Sequence, residues 1–266
     1  MSPIDAPIDL SPVADIYAAM NTESVAGVPL SGIVGGGNPA EIAAQLLQRI
    51  DTHAGLRADD AVLDMGCGCG RIAAALTQRL SPLSRYLGID IVPGLVEFAA
   101  KRIGSRFPNF RFLLSGASNQ TYERFGAGSN GGDPEADPRA FDLAIALSLF
   151  THLDQSVARK NLAMISRALR PNGRAFLTFF LLDAPTREIM RTGEPLFRFA
   201  NQIDAAGAFC ENGGDPMGAV AYETTLVLSM LADVGLYVDR IVYGGWPGRT
   251  SDGFQDAIVA RPITTR

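Results

Sequence analysis

Apolar residues along this chain fall into two alternating rhythms. At the first clear element, Ile42, Leu46, Leu47 and Ile50 recur at helical spacing. They follow Asn38-Pro39-Ala40-Glu41, where Asn caps, Pro suits the first helical position and Glu sits three residues after the cap. Short apolar runs bounded by glycine, proline or polar clusters then predict strands over 61–65, 86–90, 110–114, 141–147 and 174–182. Helical patterns over 71–80, 93–107 and 154–169 lie between them. A further helix over 223–234 and strands over 236–243 and 254–260 complete the chain. Strands alternating with helices predict an α/β fold, a doubly wound and mostly parallel sheet.

Three segments break that rhythm. Residues 1–37 read as an N-terminal cap with a helical piece near 14–20 and a glycine-rich connection at 32–37. Residues 38–266 form the main domain. Within it, 126–139 is polar and turn-forming. The stretch 184–221 is a longer insertion that leaves the carboxyl end of the fifth strand, where open α/β sheets bind ligands. It is the candidate substrate lid, with a purely structural excursion as the other reading.

Composition narrows the function classes. The 266 residues are 47% hydrophobic and 19% charged, with a net charge of −5. A chain this acidic, with no basic stripe, argues against a nucleic-acid partner and for a small molecule, a peptide or a neutral glycan. The N-terminus lacks a secretory pattern and no run approaches ~18 apolar residues, so a cytoplasmic protein without a membrane span is expected. Oligomeric state stays open, a homodimer included. The cysteines, Cys67, Cys69 and Cys210, are too few and oddly placed for a disulfide framework. Cys67 and Cys69 are also too close together for zinc-ligand spacing, so no metal is expected.

The chemistry concentrates in Val62-Leu63-Asp64-Met65-Gly66-Cys67-Gly68-Cys69-Gly70-Arg71. Gly66, Gly68 and Gly70 lie between a strand and a helix, so their backbone N–H groups face a ligand with little steric hindrance. A pyrophosphate-binding loop prefers G-x-G-x-x-G, but here Arg71 stands where the third small residue belongs. Asp64 beside the loop opposes a pyrophosphate and suits a cationic amino group. Asp90 ends the second strand some twenty residues on, where a carboxylate accepts ribose hydroxyls.

In these stretches the chain resembles the class I S-adenosylmethionine-dependent methyltransferases, and within them a bacterial subgroup of unassigned substrate. VLDMGCGCGR resembles their first motif, YLGIDIVP the acidic second-strand motif, FDLAIALSLFTHL the fourth-strand motif, and LRPNGRAFLTFF the turn into the fifth strand. The subgroup resemblance rests on GIDIVPGLVEF, SLFTHL and the terminal YGGWPGRTSDGFQDAIVARP. The resemblance implies a Rossmann-like sheet of seven strands, the last antiparallel, with S-adenosylmethionine over the first four. Asp64, Gly66, Cys67, Gly68, Gly70, Asp90, Ile91 and Leu147 are then cofactor contacts. Many relatives carry an acid after the third strand, where this chain has Gly116. Adenine recognition is therefore assigned to backbone groups at Ala117 and Ser118, with the Asn119 amide.

Methyl transfer from a sulfonium asks chiefly for alignment, and for a general base only when the acceptor holds its proton. His152, after the fourth strand, is the candidate base; capping the next helix is its alternative. Asp183, ending the fifth strand, is a second candidate, either orienting a substrate hydroxyl or capping a helix. Tyr17, Tyr243, Trp246 and Arg249 are weaker candidates, Trp246 for stacking on an acceptor ring or for packing at the sheet edge. Arg71 is expected to face solvent, with a reach to the cofactor carboxylate as its other reading, and His53 to be an exposed helix-end residue. The expected reaction is transfer of a methyl group to a small-molecule or glycan-type acceptor at oxygen. The alternatives are N-methylation, a non-catalytic cofactor-binding partner protein, and aminopropyl transfer.

Overall fold

The computed structural model describes residues 8–117, 119–128 and 136–263. The chain divides into two compact units, Met1–Pro134 and Glu135–Arg266. Seven strands form a mostly parallel sheet with one antiparallel strand.

The first unit begins with helix α1 (Ala14–Thr22), a tight hairpin of β1 (Ser24–Val25) and β2 (Val28–Pro29), and the short α2 (Leu30–Ile33). The connection expected at 32–37 is thus helical at its start, and Gly35, Gly36 and Gly37 adopt positive φ after it. Helix α3 (Pro39–Ala54) starts as its sequence dictates: the Asn38 side chain accepts from the N–H groups of Ala40 and Glu41 and donates to Glu41 at 2.9 Å. Its buried face is Ala43, Leu47, Ile50 and Ala54, with the expected Ile42 and Leu46 half-buried beside it. Strands β3 (Val62–Met65), β4 (Tyr86–Asp90) and β5 (Phe110–Leu114) run parallel. They alternate with α4 (Arg71–Leu76) and α5 (Pro93–Ala99), the latter widening into a π-turn over Ala100–Gly104.

In the second unit, β6 (Phe141–Ala146) is almost wholly buried, as a strand covered on both faces must be. Helix α6 (Gln155–Ala168) is capped by Asp154, whose carboxylate accepts from Val157 N–H at 3.0 Å. Strand β7 (Leu169–Phe179) starts earlier than its sequence suggests. Pro171-Asn172-Gly173, expected as a turn, lies inside the strand as an irregularity, because Phe141 pairs with Leu169 and Leu143 with Arg174.

The chain then leaves the sheet through β8 (Leu181–Leu182) into α7 (Ala184–Thr192), β9 (Asn201–Gln202), β10 (Ala208–Cys210) and β11 (Val220–Glu223). These short strands make a separate four-stranded sheet, ordered β8-β11-β10-β9. Helix α8 (Thr224–Asp233) leads to β12 (Leu236–Val242) and β13 (Asp256–Pro262); β13 runs antiparallel to both β7 and β12. Among the described residues no helix is long and apolar enough to cross a membrane.

Candidate functional site

Within the first unit the glycine loop folds around two carboxylates. Gly66, Gly68 and Gly70 all have positive φ, and the loop is pinned to β4 where Gly66 and Cys67 N–H donate to the Ile89 carbonyl. Asp90 Oδ2 accepts from Gly68 N–H at 2.8 Å, and Oδ1 from Val92 N–H at 2.9 Å. A carboxylate offers about four lone-pair sites, so two remain for a ligand, and Asp90 is only half-buried. Burial raises its pKa, while those backbone donors oppose the shift. Ile91, also half-buried, follows it directly.

Asp64 lies deeper, 1% exposed, and accepts from the Tyr86 hydroxyl at 2.6 Å. Burial, with the nearby Asp90 adding to it, pushes its pKa up to about 7 against the pull of the Tyr86 bond. Cys67 and Cys69 are buried free thiols whose pKa burial raises, Cys69 to about 12, which suits packing and not nucleophilic chemistry. Residues of the N-terminal segment close over the loop. Val34 sits so near that a Cβ on Gly68 would lie 2.8 Å from its Cγ1. Tyr17, 3% exposed, donates its hydroxyl to the Arg71 carbonyl at 3.2 Å.

Arg71 corrects the expectation of a solvent-facing side chain. Its guanidinium is partly buried, burial lowers its pKa, and no carboxylate pairs with it among the described residues. An uncompensated cation at the start of α4 is what an incoming carboxylate group would meet. On the adenine side, Ala117 is exposed, with its N–H donated to Ser115 Oγ at 3.3 Å. Asn119 Oδ1 accepts from Thr121 N–H, and Ser118 lies outside the described residues.

The remaining candidates lie in the second unit. Leu147 is half-buried just after β6. Ser148 follows it in left-handed backbone (φ 58°), with its N–H donating to Thr178 Oγ1 and its hydroxyl to Gln255 Oε1. His152 ends the single turn Phe150–His152, with Nδ1 3.0 Å from the Met217 carbonyl. A carbonyl only accepts, so the proton sits on Nδ1 and the lone pair on Nε2. Burial lowers the imidazole pKa, keeping it neutral at pH 7. Asp154, not His152, caps α6.

Asp183 caps α7 through Thr186 N–H (2.8 Å) and accepts the Tyr243 hydroxyl (2.9 Å). Arg249 stacks over Tyr243 and donates to Thr186 Oγ1. Trp246 is 1% exposed, with its indole N–H on Asp256, so of its two readings packing prevails over acceptor stacking. His53 is half-buried rather than exposed.

Sequence reasoning missed Tyr86 as the partner of Asp64 and the buried setting of Arg71. Gly88, in the middle of β4, marks a close approach, and there a Cβ would lie 2.9 Å from Cys67 Sγ.

Residues 62–173 match the family model described as "Methyltransferase domain". That match spans 112 of the 266 residues and is a likeness to that domain. Over 140 residues the chain is 29% identical to the nocamycin O-methyltransferase of Saccharothrix syringae, an alignment covering 52% of this chain and 42% of that one. The chain therefore spans less than half the length of this curated relative. The fold resembles PH0226 of Pyrococcus horikoshii (TM-score 0.55, 15% identity, 86% of this chain and 93% of that one). It also resembles the 1,6-didemethyltoxoflavin-N1-methyltransferase of Burkholderia thailandensis, solved with 1,6-didemethyltoxoflavin and S-adenosylhomocysteine (TM-score 0.51, 19% identity, 99% and 93%).

Proposed function

We propose that this chain transfers the methyl group of S-adenosylmethionine to a hydroxyl of a small-molecule or glycan-type acceptor. The observation that carries the reading is Asp90. It is a half-buried carboxylate, oriented by two backbone N–H donors of the glycine loop and the following turn, with lone pairs left for a ribose diol. Asp64 behind it and the unpaired guanidinium of Arg71 suit the ammonium and carboxylate of a methionyl tail. When bound, the cofactor supplies an electrophilic methyl on a positively charged sulfur.

Residues 1–37 serve as a cover on the glycine loop, through Val34 and Tyr17, and 184–221 as the acceptor lid. His152 is assigned as the base: its Nε2 would take the proton of the acceptor hydroxyl. Asp183 holds the start of the lid helix and the Tyr243 hydroxyl. Attack at oxygen is preferred because a neutral imidazole suits a hydroxyl proton and because the matched curated relative is an O-methyltransferase.

Calorimetry with S-adenosylmethionine and S-adenosylhomocysteine tests the cofactor half. Binding is expected with both, and Asp90→Ala should weaken it about 100-fold, the equivalent of roughly 2.7 kcal/mol of charge-assisted hydrogen bonding. No heat with either ligand would overturn the reading. A methyl-transfer screen across phenols, sugars and amines tests the acceptor half. Turnover on amines alone would replace oxygen by nitrogen.

A further inference from the structure

The insertion carries a feature that none of the assigned cofactor contacts, nor His152 or Asp183, uses. Arg187 and Arg191 of α7 and Arg198 beyond it line one open hollow of about 270 Å³ together with Met190, Phe199 and Ala200. Three guanidiniums around one hollow run against the net charge of −5. Two of the three are already compensated. Arg187 pairs with Glu223 and stacks over the Phe209 ring, and Arg191 holds both oxygens of Glu188 at 2.9 and 2.7 Å. Arg198 differs. Its Nη1 donates to the Met190 carbonyl at 3.3 Å, and no carboxylate pairs with it among the described residues.

The floor is equally specific. Phe199 is 2% exposed and fixed in a cluster with Phe180, Leu182, Ala221 and Trp246, its ring 5.3 Å from the Trp246 ring and 5.2 Å from that of Phe180. The hollow is thus anchored on a rigid apolar cluster that shows it only an edge of Phe199, and its apolar surface is mainly the flexible Met190 thioether.

We propose that this hollow binds a small carboxylate carried on a ring-sized apolar body, the carboxylate on the exposed Arg198 fork and the body against Met190. Size fits: a cavity of ~150 Å³ holds benzene, so this hollow has room for a ring and its carboxylate. Charge fits a monoanion, since one guanidinium is uncompensated and a dianion would have to draw Arg187 or Arg191 from its glutamate. The planar guanidinium matches a carboxylate edge to edge. The inference stands apart from the identity of the methyl acceptor.

Ligand-observed NMR on the full chain tests it, with benzoate as the probe, benzamide as its neutral counterpart and inorganic phosphate as the second anion. Benzoate should bind saturably, with benzamide and phosphate each at least ~10-fold weaker, about 1.4 kcal/mol or more. Arg198→Gln should bring benzoate down to the level of benzamide, while S-adenosylmethionine binding and the melting temperature stay as in the parent chain. Arg198→Lys, which keeps the charge without the fork, should fall between. Three results would overturn the proposal: benzoate that does not saturate, benzamide binding as well as benzoate, or Arg198→Gln binding unchanged. Phosphate binding more tightly than benzoate would overturn the monoanion assignment. Because cofactor binding is titrated separately, failure here is distinct from failure of the methyltransferase reading.

Discussion

Each unit holds a carboxylate at the end of a strand, and the two do opposite work. Asp256, at the start of β13, is 0% exposed and accepts three donors: Leu181 N–H at 2.8 Å, Gly244 N–H at 2.7 Å and the Trp246 indole N–H at 2.7 Å. Asp90, at the end of β4, accepts two and keeps part of its surface open. A fully buried carboxylate holding three protein donors is scaffold; a half-buried one holding two, with capacity open to a ligand, is a binding group. Residue type and strand-end position are the same, so the difference lies in how many donors the neighbouring loop supplies. After β12 the loop turns back so tightly that a Cβ on Gly244 would lie 2.3 Å from the Gln255 carbonyl carbon, which brings Gly244 N–H and Trp246 onto Asp256.

The sharpest way to break that contrast is Asp256→Ala. It strands three buried donors at once, and removing one partner of a buried network costs about 3–5 kcal/mol. A loss of this size in denaturant unfolding is expected, together with a tryptophan emission shift as the Trp246 environment loosens. Asp90→Ala should cost less, about 1–2 kcal/mol, since it strands two N–H donors rather than three and Asp90 itself is only half-buried. If the two variants destabilise equally, the division into scaffold and binding carboxylates fails.

Much of the first unit was legible because its determinants are local. Strands 86–90 and 110–114 appear with the boundaries the apolar runs predict. The loop between β3 and α4 is set by glycine spacing within ten residues. The second unit resists the same reading for identifiable reasons. Strands β9 to β11 are two to four residues long, too short to show a period. Pro171-Asn172-Gly173 carries the chemistry of a turn, yet sheet pairing absorbs it as a bulge. Trp246 meets Asp256 because a turn folds back, and Tyr86 meets Asp64 across 22 residues; neither contact has a signature in spacing. Arg71 looks solvated as a helix-start arginine, and its burial is a tertiary fact.

A middle-sized effect separates Asp64 from both of the other carboxylates, because it is buried with a single side-chain donor. Its folded pKa of about 7 lies above the unfolded value of ~3.9. The folded chain therefore keeps a proton that the unfolded chain releases between pH ~4 and ~7, and stability of the free protein should fall as pH rises through that window. A cationic amino group favours the ionised form. Affinity for S-adenosylmethionine should thus rise by roughly an order of magnitude from pH 5 to pH 7, with proton release on binding. Calorimetry in two buffers of different ionisation enthalpy reads both effects. Asp64→Asn should flatten the profile; a flat profile in the parent chain would remove Asp64 from the cofactor reading.

The smallest effect concerns Ser148, the hinge between β6 and the turn that carries His152. Its φ of 58° is a conformation L-residues avoid, at a cost of about 1–2 kcal/mol. Three bonds hold it: Ser148 N–H to Thr178 Oγ1 at 2.7 Å, its hydroxyl to Gln255 Oε1 at 3.1 Å, and Thr151 Oγ1 to its carbonyl at 2.9 Å. Ser148→Ala loses the hydroxyl bond and keeps the strain, so a loss of about 1 kcal/mol is expected. Ser148→Gly loses the same bond but relieves the strain, against a gain in unfolded-state freedom of about 0.5–1 kcal/mol. The two variants share everything except the Cβ, so their difference in unfolding free energy isolates the backbone conformation from the hydrogen bond. Gly should be the more stable of the pair. Equal melting would mean that the strain at Ser148 is no larger than the ~0.5–1 kcal/mol of unfolded-state freedom that glycine adds.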